Sequence, residues 1–407
     1  METKPGARAR SGVHAAEFDP RSPDFLADPY PYYARWQEEE PLFLLPATGD
    51  WWATRHHDAA QVLTDPRFVK GASGPRQPPP EYAHLPPLEP SMLERDPPDH
   101  TRLRGLVNRA FTPRVVEGLR PRIAEIAREL LEPFTGRARI DLMADFAFPL
   151  PAIVIAELLG VPAQDRERFK EWSRRIVLLL DPTQPEEARQ EGAAAEIELA
   201  DYFHHLIALR RTEPRGDLIG ALLAVEERGD RLSPGELLSM CNLLLIAGHE
   251  TTTNLIGGGT LALLRDPEQW HLLQKRPDLL PRAVEELLRF EPPVQLDGRL
   301  AAEDVEMGGQ TIRAGQWVLA VIGAANRDPG VFAEPGRLDV TRAPNPHLSF
   351  GRGIHFCLGA PLARLEAQIA FGALVRQLPG IALDAERPPR RNRNIVIRGL
   401  ASLPLRL

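Results

Sequence analysis

Apolar residues recur at helical spacing through most of the chain beyond residue 100, as in Ile123, Ile126, Ala127, Leu130 and Leu131, or Leu287, Leu288 and Phe290. That periodicity predicts a mainly α protein. Short β-like runs interrupt it at Asp50 to Thr54, at Gln310 to Ala320 with turns at Gly308-Gly309 and Ala314-Gly315, and at Asn394 to Arg398, so small sheets are expected as well. Gly71 to Pro98 is dense in proline and lacks periodicity, which predicts a long loop of the kind that covers binding sites. The clearest helix starts at Ser233-Pro234-Gly235-Glu236, where an N-cap serine, a proline at the first position and a glutamate at the third form a complete start signal. It runs to about Leu264, a length of about 48 Å that crosses a whole domain. Its middle, Ala247-Gly248-His249-Glu250-Thr251-Thr252, works against helix propensity and sets polar groups in an otherwise apolar helix.

Composition narrows the function classes. The 407 residues are 43% hydrophobic and 26% charged, and no linker divides them, so the chain reads as one large domain spanning 1–407 with a flexible segment at 1–18. A net charge of −7 has the wrong sign for broad nucleic-acid binding. No secretory leader and no run of about 18 apolar residues is visible, which predicts a cytoplasmic protein without a membrane anchor. Cys241 and Cys357 are the only cysteines, too few for a disulfide scaffold or a four-cysteine zinc site.

The strongest chemical signal is Phe350-Gly351-Arg352-Gly353-Ile354-His355-Phe356-Cys357-Leu358-Gly359, followed by a helix from about Pro361. A cysteine where a loop turns into a helix has its thiolate favoured by backbone N–H groups and by the positive helix end, and the glycines let the backbone approach a flat partner. In isolation a buried free thiol would be the plainer reading, and it is the one that fits Cys241.

This segment closely resembles the cysteine-ligand loop of the cytochrome P-450 family. Ala247 to Thr252 is similar to that family's oxygen-activating stretch, and Glu286-Leu287-Leu288-Arg289 to its Glu-x-x-Arg element. The likeness extends from Asp28-Pro29-Tyr30-Pro31-Tyr32 through Asn326-Arg327-Asp328-Pro329 and is greatest to the soluble bacterial members. It implies the cytochrome P-450 fold and a haem b (iron protoporphyrin IX) held through Cys357, whose sulfur donates electron density to the iron. It further implies a cofactor cradle that includes Ala247, Gly248, Phe350, Gly351 and Gly359, with His100, Arg104, Arg299 and His355 on the haem propionates. Thr251 and Glu250 become the catalytic pair, a hydroxyl for oxygen activation and a carboxylate for proton delivery, at a widened helical turn beside Gly248. Glu286, Arg289 and Arg337 form a buried charge network. Met92, Leu93, Leu243, Ile246, Val294, Leu296 and Ile395 line an apolar substrate pocket, together with Gln295 and Val396. His249 is left undecided, because its position varies in the family.

The activity so implied is insertion of one oxygen atom from O2 into a small hydrophobic molecule such as a polyketide, terpenoid or steroid. Electrons come from a separate ferredoxin and ferredoxin reductase, because the chain carries no flavin, nicotinamide or iron–sulfur fingerprint. An acidic ferredoxin would dock near Arg102, Arg109 and Arg352, and the protein would act as a monomer. Three rivals stand beside this reading: a peroxide-driven peroxygenase, which has no need of Glu250 and Thr251; a haem-binding sensor without catalysis; and a hydrolase using Cys357 and His355.

Overall fold

The computed structural model describes residues 18–71, 73–110, 112–134, 136–224 and 231–407. The segment 1–18 thus lies outside the described residues except for Phe18. That residue is buried, packing edge-on against Phe25 and Trp36, so the expectation of flexibility is corrected at its last position by an aromatic cluster that removes the ring from water. Among the described residues no helix is long and apolar enough to cross a membrane.

The elements that frame the site are α1 (Asp99–Ala110), α2 (Arg120–Leu131), α3 (Pro149–Leu158), α4 (Arg166–Ile176), α5 (Glu186–Thr212), α6 (Pro234–Arg265), α7 (Leu280–Phe290) and α8 (Ala360–Gln377). α6 begins where the sequence predicts. Ser233 Oγ accepts the N–H of Glu236 at 3.1 Å, while the Glu236 carboxylate accepts the N–H of Ser233 at 2.8 Å. Arg102 of α1 also pairs with Glu236, which ties the two helix starts together. α6 then runs through the core, against α3, α5, α7 and α8. Close approach there depends on Gly257, Gly258 and Gly259. A Cβ at 257 would overlap the Met143 sulfur, one at 258 would lie 3.1 Å from Glu291 Cγ, and one at 259 would lie 2.7 Å from Phe371 Cζ of α8. α2 illustrates the helical periodicity: Ile123, Ile126 and Leu131 are buried on one face, each stabilising the fold by roughly 1.5–3 kcal/mol relative to exposure.

One sheet matters for the site. Its strands are β1 (Leu42–Leu45), β2 (Asp50–Ala53), β3 (Phe68–Val69), β4 (Leu296–Ala301) and β5 (Trp317–Val321), in the order β1-β2-β5-β4-β3. β2 and β5 are parallel and the other pairs antiparallel. Pairing of Val69 with Leu300 sets Lys70 beside the start of β4. Because side chains alternate along a strand, Asp297 and Arg299 share one face.

The expected strand at Asn394 to Arg398 is corrected. Only Ile397 makes an isolated bridge, to Val294, and the strands of this region lie later, at Leu400–Ser402 and Pro404–Arg406. Side chains have taken the backbone donors that a ladder would need. Asn394 Oδ1 accepts from Val396 N at 2.9 Å and Ile397 N at 2.8 Å, and Asp181 Oδ2 accepts from Ile395 N at 3.0 Å. The described residues of the Pro-rich stretch, 71 and 73–98, form a loop as expected, with a short 3-10 turn at Pro80–Tyr82 and a bridge between Arg76 and Leu88.

Candidate active site

Cys357 closes a tight loop whose shape comes from Gly351 (φ +70°) and Gly353 (φ +74°), conformations that side chains with a Cβ rarely adopt. At Gly353 a Cβ would also come within 2.9 Å of the Leu63 carbonyl. The Phe350 carbonyl accepts the N–H of Cys357 at 2.8 Å, and Gly359 leads into α8. Burial pushes the Cys357 thiol up, while the N–H groups of Gly359 and Ala360 and the Arg104 guanidinium draw it down. The residue nonetheless keeps accessible surface. Phe350 is held from behind by the Arg364 guanidinium, 4.5 Å from its ring centre.

Beside this loop the fold gathers cations. The rings of His100 and His355 lie 4.3 Å apart, centre to centre. Burial, reinforced by His100, Lys70 and Arg299, pushes His355 down to about 3, and burial with Arg104 lowers His100. Arg299 and Lys70 converge on Asp297, at 2.6 and 2.9 Å. Burial alone would raise this carboxyl, yet Lys70 and Arg299 outweigh it and hold Asp297 at about 2. Both ring nitrogens of His100, Nε2 of His355 and Nη2 of Arg299 are buried without a hydrogen-bond partner. Orphaned buried polar atoms are costly and rare, and four in one cluster fit the carboxylates of an anionic ligand such as haem. Arg104 reaches the same loop by a different contact, donating to the Phe356 carbonyl at 2.8 Å. The sequence reading missed Lys70; its only signal was a rare lysine, one of four, at the mouth of the Pro-rich loop.

On α6, Leu243, Ile246, Ala247, Glu250 and Thr251 keep accessible surface at three- and four-residue spacing, which puts them on one face of a largely buried helix. Thr251 Oγ1 donates a long 3.3 Å bond to the Ala247 carbonyl, and Glu250 Oε1 accepts from Asn254 Nδ2 at 3.2 Å. His249 points the other way. It is buried beside Phe148, with Nδ1 bonded to the Leu245 carbonyl at 2.7 Å, and burial lowers its basicity. The widened turn expected at Gly248 is not formed, since α6 is α-helical throughout. A Cβ at 248 would lie 2.8 Å from Ile155 Cγ1, so the glycine here admits α3.

The Glu286–Arg289 pair is fully buried, with bonds of 2.7 Å from Nε and Nη2. Arg289 further donates to the carbonyls of Asn326, Pro335 and Arg337. The third side chain differs from expectation. Arg337 contributes only its carbonyl, and its guanidinium is exposed, paired with Glu334. Arg342 instead reaches Glu286 at 3.1 Å, joined by Asn345 Nδ2 and the N–H of Asp339.

Of the residues expected to line the pocket, Leu93, Leu243, Ile246 and Val294 keep accessible surface. Met92 is buried in the main core, and Leu296 and Ile395 in the aromatic cluster with Tyr33 and Trp36. Those three pack in the core. Residue types alone could not separate a pocket wall from a core wall.

The family model described as Cytochrome P-450 matches residues 54–398. Cytochrome P-450 107B1 of Saccharopolyspora erythraea is 46% identical over 94% of this chain and 96% of its own length. The 6-deoxyerythronolide B hydroxylase of the same organism is 42% identical over 96% of this chain and 98% of its own. Among solved structures, that of PksS, the cytochrome P-450 of the bacillaene polyketide synthase of Bacillus subtilis, superposes with a TM-score of 0.88 at 43% identity, covering 96% of this chain and 99% of the other. With the cysteine loop, the buried charge pair and the polar centre of α6 all in one fold, the chain belongs to the cytochrome P-450 family and is a haem monooxygenase.

Proposed function

We propose that Cys357 ligates the iron of haem b and that His100, Arg299, His355 and Lys70 receive its propionates, in a cytoplasmic monomer that oxidises a hydrophobic natural product of polyketide type. The observation that carries this reading is the set of four orphaned donor or acceptor atoms on His100, His355 and Arg299 next to the cysteine loop. Bound haem supplies the activation of O2 and transfer of one oxygen atom to the substrate. The remaining work falls to side chains. The N–H groups at the start of α8 and Arg104 favour the Cys357 thiolate. Leu243, Ile246 and Ala247 offer an apolar wall. Thr251, whose present bond to Ala247 is long, has a hydroxyl able to turn toward the site, and half-buried Glu250 carries protons inward from water. The polyketide assignment draws on the hydroxylase and PksS relatives.

Electrons come from a ferredoxin and its reductase, docking at exposed Arg352, Ile354 and Phe356 around the cysteine loop. Arg102, expected to help there, is committed to Glu236. The test is spectroscopic. The reduced carbon monoxide complex should show the red-shifted Soret band of a thiolate donor, lost in Cys357→His; a histidine-type spectrum in the unmodified protein would reject the ligand. With a ferredoxin system, Thr251→Ala should bind substrate normally but divert reductant into hydrogen peroxide, and Glu250→Gln should mainly slow turnover.

A further inference from the structure

Glu285 of α7 and Arg364 of α8 form a two-pronged ion pair: Arg364 Nε donates to Glu285 Oε1 at 2.7 Å and Nη2 to Oε2 at 2.8 Å. His347 Nε2 meets the same carboxylate at 3.2 Å, and the N–H of Ser349 occupies its other ring nitrogen, also at 3.2 Å. Burial alone would raise the Glu285 carboxyl, yet Arg364 and His347 outweigh it and hold it at about 2. The ends of the pair are not equivalent. Arg364 has a second contact: its guanidinium lies over the Phe350 ring, 4.5 Å from the ring centre, and the Phe350 carbonyl accepts the N–H of Cys357 at 2.8 Å. Burial pushes the Cys357 thiol up, and Arg364 is among the charges that draw it down. The cation is thus the end of the pair turned to the cysteine.

Under the haem reading above, that sulfur carries the iron. Uptake of one electron from the ferredoxin takes the iron from ferric to ferrous, breaks no bond and adds one negative charge to the haem–thiolate unit. A nearby cation favours the added charge, and a nearby anion opposes it. We propose that Arg364 is a positioning residue that, balanced by Glu285 and braced on Phe350, sets the potential at which the haem iron accepts its electron. This rests on the haem reading. Arginine suits the place because its planar fork pairs with a carboxylate along its edge while its face lies on a ring, which lysine cannot match. With Glu285 ionised, the pair acts as a dipole whose positive end is toward Cys357. Removing either end exposes the charge of the other, so the two deletions should push the potential in opposite directions.

The haem-loaded protein, free of substrate, would be titrated by spectroelectrochemistry and followed at the Soret band. At one fixed potential, Glu285→Gln should raise the ferrous-to-ferric ratio about threefold and Arg364→Gln should lower it about threefold, the size expected for a partly screened charge. Arg364→Lys keeps the charge and should lie nearer the unmodified protein than Arg364→Gln does. A tie that merely braces α7 against α8 would loosen the cysteine loop from either end. Shifts of the same sign in both glutamine variants would therefore overturn the proposal, as would reversed signs or unmoved potentials. Arg364→Lys matching Arg364→Gln would overturn it too, since the charge would then be irrelevant. Should Arg364→Gln fail to hold haem, Glu285→Gln decides alone: a ratio that falls or stands still overturns the proposal. A histidine-type carbon monoxide spectrum in the unmodified protein would overturn the haem reading and this proposal with it, a result distinct from unmoved potentials in a protein with the thiolate spectrum.

Discussion

The cysteine side of the molecule and the rim formed by the Pro-rich loop are both held by ion pairs, yet the pairs differ in kind. Below the cysteine loop, Glu286 and Arg289 are wholly buried, and Arg342, Asn345 and four backbone groups complete their hydrogen bonding. At the rim, the loop meets α5 through Arg76–Glu196 and His84–Asp201, with side chains between 30% and 61% exposed. A charge sealed from water with all its partners cannot leave one of them cheaply, whereas an exposed pair exchanges its partner for water at little cost. Rigidity at the buried pair and freedom at the rim thus follow from burial, although an arginine–glutamate pair occurs in both places.

The largest effect that would test this contrast is loss of the buried pair. Arg289→Ala should leave the buried Glu286 carboxylate with Arg342 as its one cation and strand the carbonyls that Arg289 serves, at a cost of about 3–5 kcal/mol, seen as a lower urea midpoint and loss of haem. Arg342→Ala should cost less, since Arg289 still pairs with Glu286. Arg337→Ala should barely move the midpoint, because its carbonyl remains. A large effect at Arg337 would reverse the assignment of the third side chain.

Next in size is a pH effect on the same rigid side. Both oxygens of Glu366, buried in α8, lack partners, and burial pushes its carboxyl well above the usual range. Folding therefore favours its protonated form, while in the unfolded chain it ionises above about pH 4.3. Stability should therefore be highest below that pH and fall by up to about 1.4 kcal/mol per unit as pH rises toward the folded value. Glu366→Gln should remove this component of the slope in urea titrations from pH 5 to 8. An unchanged slope would mean that the carboxyl is not held neutral.

The smallest effects belong to the rim. Arg76→Ala and His84→Ala should each change unfolding free energy by less than about 1 kcal/mol. The Arg76 difference should shrink in about 1 M salt, where screening reaches about 3 Å. A salt-resistant loss of several kcal/mol would place the loop with the rigid part.

What could be read in advance follows the same division. The start of α6 was legible because a capping box is complete within four residues, and the cysteine loop because its spacing is short and strict. Arg342 was not, because which arginine reaches Glu286 depends on where the chain doubles back. The strand expected at Asn394 to Arg398 failed for a related reason: its apolar pattern is real, but its donors are spoken for by Asn394 and by Asp181, far away in sequence. Lys70 was invisible for want of any local pattern, and the widened turn at Gly248 was expected from likeness where α3 packing gives the glycine a different use.

The glycine run at 257–259 bears on how this sequence can vary. Replacing helical glycine by alanine is a common route to thermostability, worth up to about 1 kcal/mol per site when nothing stands in the way. Here the neighbours decide. Met143 is flexible enough to swing aside for a methyl group at position 257, and Glu291 need give way by only tenths of an ångström at 258, but the Phe371 ring facing 259 has Leu287 at its flank and nowhere to go. In a map of tolerated substitutions along α6, position 259 should be the floor of a narrow trench, and stabilising variants drawn from helix preference alone should fail there first.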